Sequence, residues 1–248
     1  METLAQLGQF GMFTLRVCWR LIVGPHNLPD LFRFIWTIVT RCFAPVVAVI
    51  FPFGMVVALQ GLTIFALFGA ERLLASLVSV TVIRELSPVL SAVLVAAQGG
   101  SSVAAELGAM RIKEELDATE VMGVDGLAYH VVPRALAIVI ACPLLHLVGC
   151  VAGVGGAFFT AVVLKGERAG IFWAELFFLT EFSDIWGGFL KALVFGSIIG
   201  LVSCYLGYTT TGGAAGVGLA VNRTVVWTVT IFIVTNYFLT SALFGGLG

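Results

Sequence analysis

Arg84 and Glu85 stand side by side in "VIRELSPVL", shortly before Pro88. Adjacent residues on a helix point about 100° apart, so these opposite charges do not neutralise one another, and each needs water or another partner. Pro88 has no N–H to offer the carbonyl of Arg84, four residues earlier, which predicts a bent and locally solvated helix. A guanidinium suits a phosphate and a carboxylate suits an amine, so one zwitterionic headgroup could bridge the two. The alternative is an interfacial pair satisfied by water and neighbouring helices.

A second concentration of charge is "AELGAMRIKEELDATEVMGVD", residues 105 to 125. Two basic and five acidic side chains fall between Arg111 and Asp125, in a chain that has only 13 and 14 of each. Drawn as one helix over 111–122, Ile112, Leu116, Thr119 and Met122 share a face, Lys113, Asp117 and Glu120 lie opposite, and Glu115 sits beside the apolar stripe. Such a helix either lies on a lipid surface or docks into another protein. Its acidic balance argues against anionic lipid, which attracts polybasic segments, and so favours a protein partner.

Other motifs carry less chemistry. The glycine-rich run Gly212 to Gly218 lacks the Lys and Ser/Thr that end a phosphate-binding loop, and is expected to be a flexible turn. Ser101 and Ser102 have no His/Asp partners for nucleophilic catalysis. Gln60 and His146 are lone polar residues in apolar runs and read as interhelical hydrogen-bonding groups, with no second ligand for a metal. Cys18, Cys42, Cys142, Cys150 and Cys204 are scattered, without metal or redox spacing. No basic patch with interleaved aromatics points to nucleic acid.

The elements that must position these residues are set by composition. The 248 residues are 60% hydrophobic and 11% charged, against roughly 25% charged in soluble domains, so the chain belongs in a membrane. Five runs reach the roughly 20 residues needed to span a bilayer: about 43 to 69, 86 to 107, 135 to 164, 185 to 208 and 225 to 247. Pro52 and Pro143 are expected to kink the first and third. An odd number puts the two ends on opposite sides. With the N-terminus inside, eight of the 13 Lys and Arg fall on the cytoplasmic side, which favours that orientation. No signal peptide is apparent, so the chain is expected to start at Met1. Residues 4–23 and 31–41 mix Arg with aromatic and aliphatic side chains around the breaker "GPHNLPD", and read as helices lying in the interface. The segment "IFWAELFFLTEFSDIW" suits the outer interface. Small residues four apart, Gly100, Ala104 and Gly108, Gly149 and Gly153, Gly196 and Gly200, predict close helix packing within the chain or against a second copy. The fold class is thus an all-α integral membrane protein. Residues 1–42 form interfacial helices, and 43–248 form a five-span domain with the charged helix at about 111–122.

The stretch "VIRELSPVLSAVLVAAQGGSSVAAELGAMRIKEELDATEVMGVD", followed by "GGAAGVGLAVNRTVV", resembles the MlaE (YrbE) permeases of Mce-type lipid ABC transporters, over nearly the whole chain. The resemblance implies that residues 111–122 are a coupling helix, with Arg111, Ile112, Glu115, Leu116, Thr119 and Met122 meeting a cytoplasmic ATPase. That partner would bind ATP and Mg, leaving this chain without cofactor or catalytic residues. It also implies a second permease, an Mce-domain protein outside, phospholipid or a related lipid as cargo, and a bacterial inner-membrane location. The matching Arg-Glu pair in that family lies at the lipid cavity, so Arg84 and Glu85 would meet the headgroup, with Val57, Leu62, Leu77 and Val78 lining acyl-chain space. Glu106 matches an acidic position at the inner end of the second span. One departure bears on stoichiometry. Many single-type permeases of the family have a basic residue where this chain has Gln98, so a homodimer and a pair of different permeases both stay open. A secondary transporter is the alternative function, disfavoured by the shortage of carboxylates in the spans, and a membrane enzyme lacks a catalytic constellation.

Overall fold

A computed structural model describes residues 2–23 and 28–244. Among them the regular structure is helical throughout, with no strand. The helices are α1 (Glu2–Val23), α2 (Leu28–Ala66), α3 (Leu74–Val78), α4 (Ser87–Val95), α5 (Ser101–Ile112), α6 (Glu115–Val121), α7 (Val132–Phe158), α8 (Ala169–Leu179), α9 (Phe182–Tyr208) and α10 (Gly213–Phe244). Wider π-helical stretches at Ser79–Leu86 and Ala96–Gly100 join α3, α4 and α5, and two more flank α7 at Leu127–Val131 and Phe159–Leu164. Five resulting stretches are long and apolar enough to cross a membrane: Pro29–Ala66, Leu74–Ile112, Leu127–Leu164, Phe182–Tyr208 and Gly213–Phe244.

Three expectations change. Residues 31–41 are not a separate interfacial helix, because α2 runs unbroken from Leu28 to Ala66 through Pro45 and Pro52. Each proline removes one N–H from the ladder, and the remaining bonds carry the helix on. The division at residue 42 therefore falls inside α2. Of the expected breaker, Gly24 to Asn27 lie outside the described residues, while Pro29 sits in the first turn of α2, where a missing N–H costs nothing. The glycine-rich run is mostly helix. Only Gly212 and Gly213 have positive φ (88° and 69°), and α10 then begins at once, which lengthens the last span by twelve residues at its start over the apolar run alone. Gly216 is part of that first turn because a side chain there would strike the carbonyl of Thr211. Residues 245–247 of the expected run lie outside the described residues.

The packing divides into two units. The first comprises Met1–Val39, Val95–Ala141 and Phe195–Val234. Here α1 lays Phe10 and Phe13 on Tyr205, with ring centroids 5.2 and 5.5 Å apart, and leaves Met12, Leu15 and Trp19 exposed. Phe195 and Phe232 meet at 5.2 Å. Gly200 and Gly207 bring α9 so close to its neighbours that a Cβ would lie 2.9 Å from the carbonyl oxygens of Ala135 and Ala104 respectively; the first is the close approach that the Gly196–Gly200 spacing predicts, and the second adds Gly207 to it.

The second unit comprises Thr40–Leu94, Cys142–Val194 and Thr235–Gly248. Its apolar core gathers Ala58, Leu62, Leu74, Val78, Val82, Ala157, Phe172 and Leu176. The apolar segment α8 closes this core by packing on α3, pinned by the Ser76 hydroxyl donating to the Glu175 carbonyl at 3.2 Å and by a Ser79–Thr180 hydroxyl contact. His146 is fully buried and does what a lone polar residue in a bundle is expected to do. Ser87 donates its only hydroxyl proton to the His146 carbonyl at 2.7 Å, so the ring Nδ1, 3.0 Å from the same Oγ, is the donor in that second contact.

Candidate functional site

Arg84 and Glu85 lie near the end of the Ser79–Leu86 π-helical stretch, where the Ser87 N–H reaches back five residues to the carbonyl of Val82. The carbonyl of Arg84 has lost its donor to Pro88. Lys191 of α9 supplies the replacement, donating to that oxygen at 3.1 Å. Its other two protons go to Glu85 Oε1 and Thr240 Oγ1, both at 2.7 Å. An ammonium has three N–H groups, so Lys191 is saturated, and it is completely buried. Glu85 in turn accepts from Thr240 at 3.1 Å and, on Oε2, from Asn236 Nδ2 at 3.2 Å.

Arg84 pairs not with Glu85 but with Asp184, also on α9, at 2.7 Å. Asp184 uses its second oxygen to accept the Glu181 N–H at 3.1 Å. The guanidinium and the Lys191 ammonium both sit over the Phe244 ring, 4.8 and 5.1 Å from its centroid, where the ring quadrupole favours cations. Two positive and two negative groups thus form a neutral cluster inside membrane-crossing helices. Its members differ in reach. Lys191 and Asp184 are 0% and 2% exposed, while Arg84 and Glu85 are 23% and 37% exposed, so of the four charged groups the latter two present an open edge.

The sequence pairing of Arg84 with Glu85 was correctly excluded on geometry, but their partners were not foreseen. Asp184 falls in the segment expected at the outer interface, and Lys191 inside the run 185 to 208 expected to span. The available signal was their spacing: seven residues is two helical turns, so both lie on one face of α9 with charges opposite to Glu85 and Arg84. Of the proposed acyl-chain residues, Val78 and Leu62 belong to the packed core, Val57 packs against it, and Leu77 is exposed. Leu62 also borders an open depression of about 280 Å³ with Thr63, Ala66, Lys165 and Glu167.

The charged segment in the first unit is not one helix. Glu114 adopts a left-handed conformation, φ 59°, ending α5 at Ile112 and starting α6 at Glu115. A wheel drawn through 111–122 loses its phase there, and the expected stripe splits. Leu116 is buried within the chain at 1% exposure, whereas Val121 and Met122 are 88% and 71% exposed. Leu116 is therefore an anchor of α6 and not part of its outer surface. Thr119 is half-buried and donates to the Leu116 carbonyl at 2.7 Å, and Ile112 and Glu115 are exposed. Further ties hold α6 down. Arg111 pairs with Asp117 at 2.5 Å, and Tyr208 donates to Glu120 at 3.2 Å. Just beyond, Asp125 caps the next helical stretch by accepting the Leu127 and Ala128 N–H groups at 3.0 and 3.1 Å, and pairs with Arg20 of α1 at 2.6 Å. Val121, the most exposed apolar side chain here, was missed because a single continuous helix turns it off the stripe.

The second span is mostly covered along its middle. Between residues 81 and 111 the exposed residues are Gln98 and Glu106, and its exposed large hydrophobic side chains, Leu77, Val80 and Ile112, lie toward its two ends. Ser102 donates to Glu106 at 3.3 Å, and Arg134 of α7 approaches the same carboxylate at 3.5 Å.

Comparison with known proteins gives these features a context. The family described as Permease MlaE matches residues 31–242. The chain is 35% identical over 238 residues to a probable ABC transporter permease protein of Rickettsia typhi, covering 96% of this chain and 92% of the relative. A counterpart from Rickettsia bellii is 36% identical over the same length and shares. The intermembrane phospholipid transport system permease protein MlaE of Haemophilus influenzae is 35% identical over 193 residues, 77% of this chain and 74% of the relative.

Proposed function

The chain belongs to the MlaE permease family, and from that premise we propose that it is the membrane-spanning permease subunit of an ATP-driven ABC transporter, moving phospholipid or a related lipid between the bacterial inner membrane and an Mce-domain carrier. The name of the Haemophilus relative supports the lipid cargo. The single observation that carries the headgroup assignment is the neutral charge cluster: Asp184 and Lys191 are spent on internal pairing, while Arg84 and Glu85 keep an exposed edge within membrane-crossing helices. Ionisable groups so placed mark substrate pathways. A phosphate meets Arg84 and an amine meets Glu85 without either charge leaving its buried partner.

In this reading the N-terminus is cytoplasmic, and ATP and Mg are bound by a partner ATPase that docks on α6 around the exposed Val121 and Met122. The permease itself supplies no catalytic group. The exposure of Gln98 within a mostly covered stretch of the second span supports a second permease subunit packed against it, because acyl chains give the Gln98 amide nothing to bond. The headgroup assignment is tested with a photoreactive phospholipid in native-like membrane, comparing the wild type with Glu85→Ala and Arg84→Ala at matched expression. Labelling and transport should both fall severalfold in each variant. Equal labelling and equal transport would return the pair to the role of boundary charges.

A further inference from the structure

The cluster's hydrogen-bonding capacity is nearly, but not completely, used. A carboxylate offers about four lone-pair positions, and Glu85 fills three, with Lys191 and Thr240 on Oε1 and Asn236 on Oε2. One acceptor position is left on Oε2. The amide of Asn236 is oriented by that contact, since a flipped amide would set its oxygen against the carboxylate, two acceptors facing each other. With Nδ2 committed to Glu85, Asn236 Oδ1 is a buried acceptor with no donor. A buried amide oxygen left unpaired is costly, and nearby donors do not relieve it: all three protons of Lys191 are taken. On the other side of the cluster Arg84 Nε is a buried donor with no acceptor.

We propose that Asn236 reads the amine of the headgroup, with Asn236 Oδ1 and Glu85 Oε2 accepting two N–H groups of a primary ammonium while Arg84 takes the phosphate. The inference rests on the reading of Arg84 and Glu85 as a headgroup site and assigns that site its substrate class: zwitterionic phospholipids with a primary amine, such as those bearing ethanolamine. A quaternary choline carries the same charge but no N–H, so it leaves Asn236 Oδ1 unpaired. A glycerol headgroup brings no ammonium, so Glu85 keeps Lys191 as its one cation and gains nothing from the ligand's charge. Sites built to hydrogen-bond a substrate group discriminate strongly against analogues that lack it.

The test reconstitutes the full-length chain in vesicles of equal parts dioleoyl phosphatidylethanolamine, phosphatidylcholine and phosphatidylglycerol. After mild extraction, the retained lipids are counted by mass spectrometry. Wild type should retain ethanolamine over choline lipid, and Asn236→Leu, similar in volume, should lower that ratio about tenfold, the scale of one hydrogen bond to a charged group. Thr230→Val, at an exposed position of the same helix where the hydroxyl donates to the Val226 carbonyl, should leave the ratio intact. No ethanolamine preference in wild type, an unchanged ratio in Asn236→Leu, or an equal fall in Thr230→Val would each overturn the role of Asn236. Arg84→Ala and Glu85→Ala separate this from the parent reading. If they too retain all three lipids as wild type does, the headgroup site itself is wrong; if they lose lipid while Asn236→Leu keeps its ratio, only the assignment of Asn236 fails.

Discussion

Lys191 donates to the carbonyl oxygen of Arg84 at 3.1 Å, occupying the acceptor that Pro88 leaves open. A side chain from α9 thereby completes the backbone of a helix more than a hundred residues earlier. Removing Lys191 strands Glu85, whose exposed edge holds the loss below the roughly 3–5 kcal/mol of a fully buried pair. Lys191→Met should therefore lower the thermal unfolding midpoint. Pro88→Ala returns an N–H to the Arg84 carbonyl and should recover part of the loss in the double variant. Strictly additive effects of the two substitutions would exclude the coupling.

The Arg84–Asp184 pair separates structural from ligand roles. Exchanging the two, Arg84→Asp with Asp184→Arg, keeps one internal pair and should melt closer to wild type than either single variant. Photolabelling by phospholipid should nevertheless stay low, since an acid then occupies the exposed position. Full recovery of labelling in the exchanged protein would show that only the pair matters.

Residues 111–122 now divide into anchors and surface. Leu116→Ala should destabilise the protein by about 2–4 kcal/mol, the range for emptying a buried leucine site. Val121→Glu and Met122→Glu, at exposed positions, should leave the melting midpoint unchanged and release the ATPase on affinity purification. Retention of the ATPase by both charge variants at normal stoichiometry would place the docking surface elsewhere.

Gln98 offers a direct probe of the neighbouring subunit. A Gln98→Cys variant treated with a short bifunctional thiol-to-amine photocrosslinker in native membrane should form an adduct with another permease, and the mass of that adduct identifies an identical or a different chain. Lipid adducts alone would mean that the open face of the second span meets acyl chains.

His146 also fixes the approach of α9 in the second unit, where a Cβ on Gly188 would fall 2.8 Å from the His146 Nε2 and 2.9 Å from the Ile83 carbonyl oxygen. Gly188→Ala should cost about 1–3 kcal/mol, as overpacking does, and Ser87→Ala about 1–3 kcal/mol for the stranded ring nitrogen. Chemical denaturation of the detergent-solubilised protein measures both. A neutral Gly188→Ala would mean that the two helices can part without loss.

The spans were legible because a bilayer demands long apolar runs, and no local detail alters that demand. Their ends were less so. Arg33 and Arg41 hid the start of α2, since charge near a helix end is tolerated where water is at hand, and the glycines of 212–218 concealed the start of α10. The break at Glu114 was invisible for a different reason. Lys113, Glu114 and Glu115 all favour helix, and the left-handed turn is one that only tertiary packing, the inward placement of Leu116, imposes. Arg84 and Glu85 announced a need for partners through their adjacency, but partners on α9 and α10 depend on which helices meet, which periodicity in one segment does not encode.

The order of synthesis gives the Glu85 cluster a further significance. Thr240 follows Glu85 by 155 residues and Lys191 follows it by 106. At roughly 5–20 residues per second, about 8–30 s separate the emergence of the carboxylate from that of its last partner. Throughout that interval the arginine, the glutamate and the open carbonyl must stay hydrated, because a bilayer offers them nothing. The second span then cannot settle to its final depth when it is made. It waits at the water boundary until the fourth and fifth spans arrive, so the ion pairs close as one of the last steps of biogenesis, and a ribosome-stalled chain ending before α10 should still show Glu85 accessible to aqueous reagents.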